Sequence, residues 1–231
     1  MADPSTHEVG RIRAYFGEAS WRPSAGRGLL VAERRRLVEQ VVREMLATPL
    51  PQLTVCDVGC GSGADLERWR SLGVTEERIF GTELVRARAD EARRALPGAT
   101  IESVDGFQLP FADASFDLVT ASLVLSTTRD GDNRRQLASE MWRVTRAGGI
   151  LAIYDFTIRK PWNRNVVAIR RAELAGALGR PLATHRLAPF LPLLDFALKL
   201  PFPLRSALLG VLPRTHRLWV WQRPPQALRK T

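Results

Sequence analysis

Lysine, cysteine and histidine are scarce in this chain, and so is uninterrupted apolar sequence. The two cysteines, Cys56 and Cys60, flank a glycine-rich turn and set up no disulfide framework, and no histidine cluster accompanies them. A structural zinc site draws on four such ligands, so no metal is expected and both thiols read as small buried side chains. The N-terminus Met1-Ala2-Asp3-Pro4-Ser5-Thr6-His7-Glu8 lacks a basic stretch followed by an apolar one, so no export signal is read and a cytoplasmic protein is expected. The leucine-rich stretch after residue 157 is broken by Asp195, Lys199, Arg205 and repeated prolines, which excludes a membrane-spanning helix but leaves peripheral membrane contact open.

What is present fits one soluble domain. At 231 residues, 45% hydrophobic and 25% charged, the chain is long enough to bury a continuous core and too apolar to be disordered. Net charge is +10, unevenly placed: residues 158–231 hold 14 Arg and Lys against 2 Asp and Glu. Such asymmetry suits an anionic acceptor, a membrane surface or nucleic acid. Only three of the 34 basic residues are lysines, so a compositional preference for arginine explains the excess equally well.

Short apolar runs alternate with helical patterns from residue 53 to about 155, as in strand-helix-strand units around a parallel sheet. Strands are expected at Leu53–Val58, Arg78–Thr82, Thr100–Val104, Phe116–Ala121 and Ile150–Tyr154. Helices are expected at Ala64–Leu72, at Val85–Leu96 before Pro97-Gly98, and at Asn133–Thr145 before Gly148-Gly149. Upstream, Leu29–Leu46 carries Leu30, Leu37, Val41 and Met45 at helical spacing. Tyr15, Phe16 and Trp21 fit a lid over a ligand or ordinary packing. Downstream, a proline-rich segment reads as an acceptor cap or a homodimer surface, closed by an antiparallel strand around Arg217–Trp221. The division is residues 1–50, an N-terminal helical segment; 51–157, a ligand-binding core; and 158–231, a cap with closing strands. The right-handed crossover rule puts the C-terminal ends of the parallel strands, and therefore the ligand, on one sheet edge.

The chemistry concentrates there. The run Val55-Cys56-Asp57-Val58-Gly59-Cys60-Gly61-Ser62-Gly63 ends a strand in an acid and then supplies three glycines, which allow a tight turn and expose a helix N-terminus. Its spacing is G-x-G-x-G, not the G-x-G-x-x-G of dinucleotide sites, and it lacks the Lys-Ser/Thr of a P-loop. Glu83 follows the second strand, where a carboxylate can accept both hydrogen bonds of a ribose diol. Asp105 follows the third, where it can accept from an adenine amino group while Phe107 packs on the ring.

Residues 53–155 resemble the class I S-adenosylmethionine-dependent methyltransferases, especially the type 11 group. The resemblance rests on the glycine turn, on Gly81-Thr82-Glu83, on Asp105-Gly106-Phe107-Gln108-Leu109-Pro110-Phe111 with Ser115-Phe116-Asp117-Leu118-Val119, and on Arg143-Val144-Thr145-Arg146-Ala147-Gly148-Gly149. It implies a doubly wound, mostly parallel seven-stranded α/β sheet and S-adenosyl-L-methionine as cofactor. It implies Asp57 at the methionine amino group, with Gly59, Cys60, Gly61 and Gly63 around the methionine tail. Glu83 and Leu84 then fall at the ribose, Asp105, Gly106 and Phe107 at the adenine, and Ala121 and Ser122 on the methyl-donor side. Many such proteins carry Glu-His after the fourth strand, whereas this chain has Leu123-Val124-Leu125-Ser126-Thr127-Thr128. Further on, Tyr154-Asp155-Phe156, Pro161-Trp162-Asn163-Arg164-Asn165-Val166, Leu187-Ala188-Pro189 and Arg214-Thr215-His216 resemble bacterial methyltransferases of glycan and glycolipid assembly.

The expected activity is O-methylation of a small-molecule or saccharide hydroxyl, with residues 158–231 forming the acceptor pocket and its basic groups gripping an anionic acceptor. A base within hydrogen-bond reach would assist. Asp155, ending the fifth strand, is the first candidate, with His185 and His216 as further ones; a loop-capping carboxylate and structural imidazoles are the plainer readings. Two alternatives stand beside this one: an RNA methyltransferase and a cofactor-binding protein without turnover. Nucleic acid is disfavoured because no Asn/Asp-Pro-Pro-aromatic motif follows the fourth strand.

Overall fold

The computed structural model describes residues 4–18, 24–104, 107–159, 163–189 and 191–225. Trp21, Asp105, Gly106, Pro161 and Trp162 lie outside the described residues.

Seven strands form one sheet: β1 (Val55–Val58), β2 (Ile79–Glu83), β3 (Thr100–Ser103), β4 (Phe116–Ser122), β5 (Thr145–Phe156), β6 (Ala183–Pro189) and β7 (Arg214–Gln222), in the order β3-β2-β1-β4-β5-β7-β6. The first five are parallel, and β7 runs antiparallel to both β5 and β6. Eight helices accompany them among the described residues: α1 (Pro4–Glu18), α2 (Ala25–Met45), α3 (Ala64–Ser71), α4 (Arg86–Ala95), α5 (Gly131–Val144), α6 (Arg171–Leu178), α7 (Leu191–Ala197) and α8 (Phe202–Val211).

The alternation of side chains along each strand explains why both sheet faces are covered. Val55, Leu118, Ile150, Ala152, Leu218 and Val220 pack with Val41, Leu66, Trp69 and Ala92 from α2, α3 and α4. Their neighbours Cys56, Val119, Leu151, Ile153, Trp219 and Trp221 face the other way, onto Val9, Leu137, Met141 and Leu174 from α1, α5 and α6. Two apolar layers thus sandwich the sheet, and residues 158–231 close it with β7 and β6. Strand order reverses between β1 and β4, which opens a crevice beyond their C-terminal ends.

Two sequence expectations change. Gly148 and Gly149 do not end the helix, which stops at Val144; they lie inside a longer β5. A Cβ on Gly149 would stand 2.9–3.0 Å from the carbonyl oxygens of Arg146, Asp117 and Phe116, so glycine there permits the β4–β5 contact. The proline-rich stretch supplies one complete strand, β6, between Pro181 and Pro189 at the sheet edge, where a missing N–H is tolerated.

Candidate active site

The end of β1 is shaped by glycines that no other residue replaces without strain. Gly59 adopts φ +73°, and a Cβ there would lie 2.6 Å from Val124 Cγ2. The turn is fastened to β2. Gly59 N and Cys60 N both donate to Thr82 O, at 2.8 and 2.9 Å. Gly61 N donates to Glu83 Oε2 at 2.8 Å, and Val85 N donates to Oε1 at 2.9 Å. Glu83 is therefore oriented by backbone on both oxygens before any ligand arrives, and an ionised carboxylate keeps further lone pairs for a diol. Arg88 Nη1 stands 3.9 Å from Glu83 and its guanidinium lies over the Phe16 ring at 5.1 Å.

A cavity of about 560 Å³ opens at this edge. Of the residues expected at a cofactor, Asp57, Gly59, Cys60, Gly61, Glu83, Leu84, Phe107 and Ser122 line it. Gly63 instead caps α3, with φ +88°, and Ala121 is buried in β4 between Val58 and Ile153. Asp105 and Gly106 fall outside the described residues. Tyr15 and Phe16 of α1 also line the cavity. Asn163 Nδ2 donates to Tyr15 Oη at 3.1 Å, joining α1 to the C-terminal third.

Electrostatics define what the cavity accepts. Burial pushes the Asp57 carboxyl up to about 7, with nearby Asp65 adding to the rise and a 2.6 Å hydrogen bond from Thr120 Oγ1 opposing it. An ammonium group beside Asp57 would relieve that cost. Burial raises both thiols, so Cys60 lines the wall as a neutral group.

Arg34 of α2 reaches inward beside the start of α3, close enough to Asp57 to oppose the rise of its carboxyl. It donates to Ser122 Oγ, bridges to Asp65 at 2.7 Å, and stands 5.4 Å from the centre of the Tyr154 ring. Next to it His216 of β7 lines the cavity, stacked on Tyr154 at 5.2 Å with an interplanar angle of 4° and against Phe156 at 4.2 Å. Its Nδ1 lies 2.9 Å from Thr215 Oγ1. Asp155 points elsewhere. It is fully buried, and its two oxygens accept from Ser126 N at 2.9 Å and from its neighbour Phe156 N at 2.8 Å. Burial raises it to about 6 despite these bonds. His185 lies on β6 opposite Leu218 and is not among the lining residues. Among the described residues no group of three or more His, Cys, Asp or Glu is placed to hold a metal ion.

Sequence reasoning missed Arg34, Arg88, Thr120 and Tyr154. The first two are single arginines in arginine-rich helices, and the others look like ordinary strand residues until the parallel register of β4 and β5 brings them to the edge.

Strand order 3-2-1-4-5-7-6 with only β7 reversed is the Rossmann-like fold of class I methyltransferases. Residues 56–153 match the family model described as a methyltransferase domain. The chain is 32% identical over 172 residues to a demethylmenaquinone methyltransferase of Parafrankia sp., covering 66% of this chain and 65% of that protein. It is 30% identical over 171 residues to the 27-O-demethylrifamycin SV methyltransferase of Amycolatopsis mediterranei, covering 68% and 61%. It thus spans less than two thirds of the length of these curated relatives. Among solved structures it is similar to magnesium protoporphyrin IX methyltransferase from Synechocystis with bound S-adenosylmethionine, with a TM-score of 0.63 and 16% identity over 94% of this chain and 97% of that one. The residues present fit that cofactor: a buried carboxyl for an ammonium group, a backbone-oriented carboxylate for a diol, and a tight turn between them.

Proposed function

We propose that the chain is an S-adenosylmethionine-dependent O-methyltransferase whose acceptor is the hydroxyl of an apolar small molecule. The observation that carries this reading is the juxtaposition of two unlike halves in one cavity: the acid-and-glycine edge of β1 and β2, and an aromatic wall of Tyr154, Phe156 and His216. S-adenosylmethionine, when bound, supplies an activated methyl group. Asp57 holds its amino group, Glu83 its ribose, and Phe107 packs at its adenine. What the chain adds is alignment of the acceptor, which lowers barriers by about 7–11 kcal/mol in favourable cases.

His216 takes the proton of the acceptor hydroxyl in this reading. It is the only histidine among the described lining residues, and imidazole exchanges protons near neutral pH. Thr215 and the ring stack fix its orientation. Asp155 acts as a positioning residue that ties the loop after β4 to β5 through Ser126. Ile12, Leu30, Val31, Val166 and Leu191 bring hydrocarbon to the remaining wall, beside Arg27, Arg34, Thr127, Thr128 and Asn163. The aromatic wall and these aliphatic side chains favour an apolar ring over the glycan acceptor suggested by the C-terminal resemblance. The relatives named for demethylmenaquinone and demethylrifamycin support a small-molecule acceptor.

Incubation with methyl-labelled S-adenosylmethionine and fractionated cell extract tests the proposal. Label should enter a small product extracted into organic solvent. Label in RNA, in glycan, or in no product at all would contradict it.

A further inference from the structure

Helix α8 has an unusual position for an apolar helix. Its sequence, Phe-Pro-Leu-Arg-Ser-Ala-Leu-Leu-Gly-Val, is rich in hydrocarbon, yet none of its residues is buried. Phe202, Leu204 and Val211 of α8 and Phe196 of α7 are each more than half exposed, with Val211 at 78%. Exposed apolar side chains scattered singly need no explanation, but α8 carries Leu204 and Val211 on one face and Phe202 on the opposite one, so hydrocarbon meets water on both sides of the helix.

The charges around them are mostly basic. Lys199 lies in the connection between α7 and α8, Arg205 lies within α8 over the Phe202 ring at 5.6 Å, and Arg214 follows α8, 3.9 Å from Glu33. The two acids of residues 158–231 are both engaged inward. Asp195 accepts from Gly26 N at 2.8 Å, and Glu173 is bridged to Arg134. Glu33 offsets Arg214, which leaves Lys199 and Arg205 as the basic side chains of this surface. A second copy of the chain would bring like charge to like charge, whereas an anionic lipid surface complements both the hydrocarbon and these basic side chains.

The surface also adjoins the cavity. Leu191, the first residue of α7, lines it, and the Asp195–Gly26 bond fixes α7 to the start of α2 beside Arg27, another lining residue. Among the described residues no helix is long and apolar enough to cross a membrane, so any contact is superficial.

We propose that α7 and α8 form a peripheral docking surface for anionic lipid bilayers, which sets the cavity against the membrane so that an acceptor dissolved in lipid enters past Leu191. The docking stands on exposure and charge alone; the entry route rests on the small-molecule reading above.

Co-sedimentation of the full chain with phosphatidylcholine vesicles, and with vesicles that also contain phosphatidylglycerol, tests the docking. The protein should pellet with the anionic vesicles, less so at high salt. Phe202→Ser and Val211→Ser should each weaken that partitioning about tenfold, the scale expected for withdrawing one apolar side chain from lipid. Both substitutions lie on the surface and should leave S-adenosylmethionine binding unchanged, which verifies folding. Lys199→Glu with Arg205→Glu should remove the preference for anionic vesicles. Wild-type protein that stays in the supernatant with both vesicle types would overturn the proposal. So would Phe202→Ser and Val211→Ser pelleting as wild type, or a self-association that those substitutions abolish in the absence of any vesicle binding. Vesicle binding without methyl transfer to any lipid-soluble acceptor would retain the docking and remove the acceptor reading.

Discussion

Asp57 carries a proton in the ligand-free protein up to about pH 7, because burial opposes its charge. An arriving ammonium group lowers that carboxyl's pKa, so binding expels a proton and affinity must rise as pH climbs towards 7. Above about pH 7.7 the ligand's own α-amino group loses its charge and the affinity falls again. Calorimetric titrations across this window should show the rise in wild type and lose it in Asp57→Asn. A flat profile in wild type would remove the ammonium from Asp57. For the acceptor half, His216→Ala should keep cofactor affinity and cut kcat by about 100-fold or more, the scale of a lost general base. Asp155→Asn should instead reduce stability by about 1–3 kcal/mol, since one of its two backbone donors loses its acceptor. If Asp155→Asn alone slows turnover in a fully folded protein while His216→Ala does not, the two roles are reversed.

Among the elements, the turn after β1 and the helix α2 respond in opposite directions to the same substitution. Gly59→Ala forces a Cβ into φ +73° and against Val124, and should cost about 1–3 kcal/mol in urea unfolding while weakening cofactor binding. Gly28→Ala, in α2 with nothing within 4 Å of the added carbon, should stabilise by up to about 1 kcal/mol. Equal effects of the two would mean that the turn is not strained by a side chain. The turn was legible in the sequence because its chemistry is local: an acid, three glycines and a helix start within nine residues. Strands β1, β2 and β4 were legible because nearly all their side chains are buried, so each reads as an apolar run. The extra length of β5 was not, since Gly148 and Gly149 mimic a helix stop and only the approach of the β4 carbonyls explains them. Nor was β6, an edge strand in which Thr184, His185 and Arg186 stand in a row between prolines and give no alternation to read.

Over the whole molecule, the chain divides its labour by position in the sheet. In the proposed reading the parallel half supplies the cofactor edge that sequence motifs announce, while β5, β7 and α2 supply an acceptor wall that they do not, because its members stand far apart in sequence. Arg34, Ser122, Tyr154 and His216 meet only once β7 has paired with β5 and α2 has packed over that face. Asp155 attracted notice from its place at the end of β5, yet β5 turns it into the loop after β4, and burial consumes it there. The charge asymmetry is likewise intelligible only in three dimensions, once Asp195 and Glu173 are seen to face inward. The claim on which everything else depends is that the edge formed by Asp57, the glycine turn and Glu83 holds S-adenosylmethionine. Calorimetric titration of the cofactor into wild type and Glu83→Ala tests it most directly. One-site binding in wild type, weakened by about 1–3 kcal/mol in the variant, is the predicted result; no binding in wild type, or equal affinity in both, would contradict it.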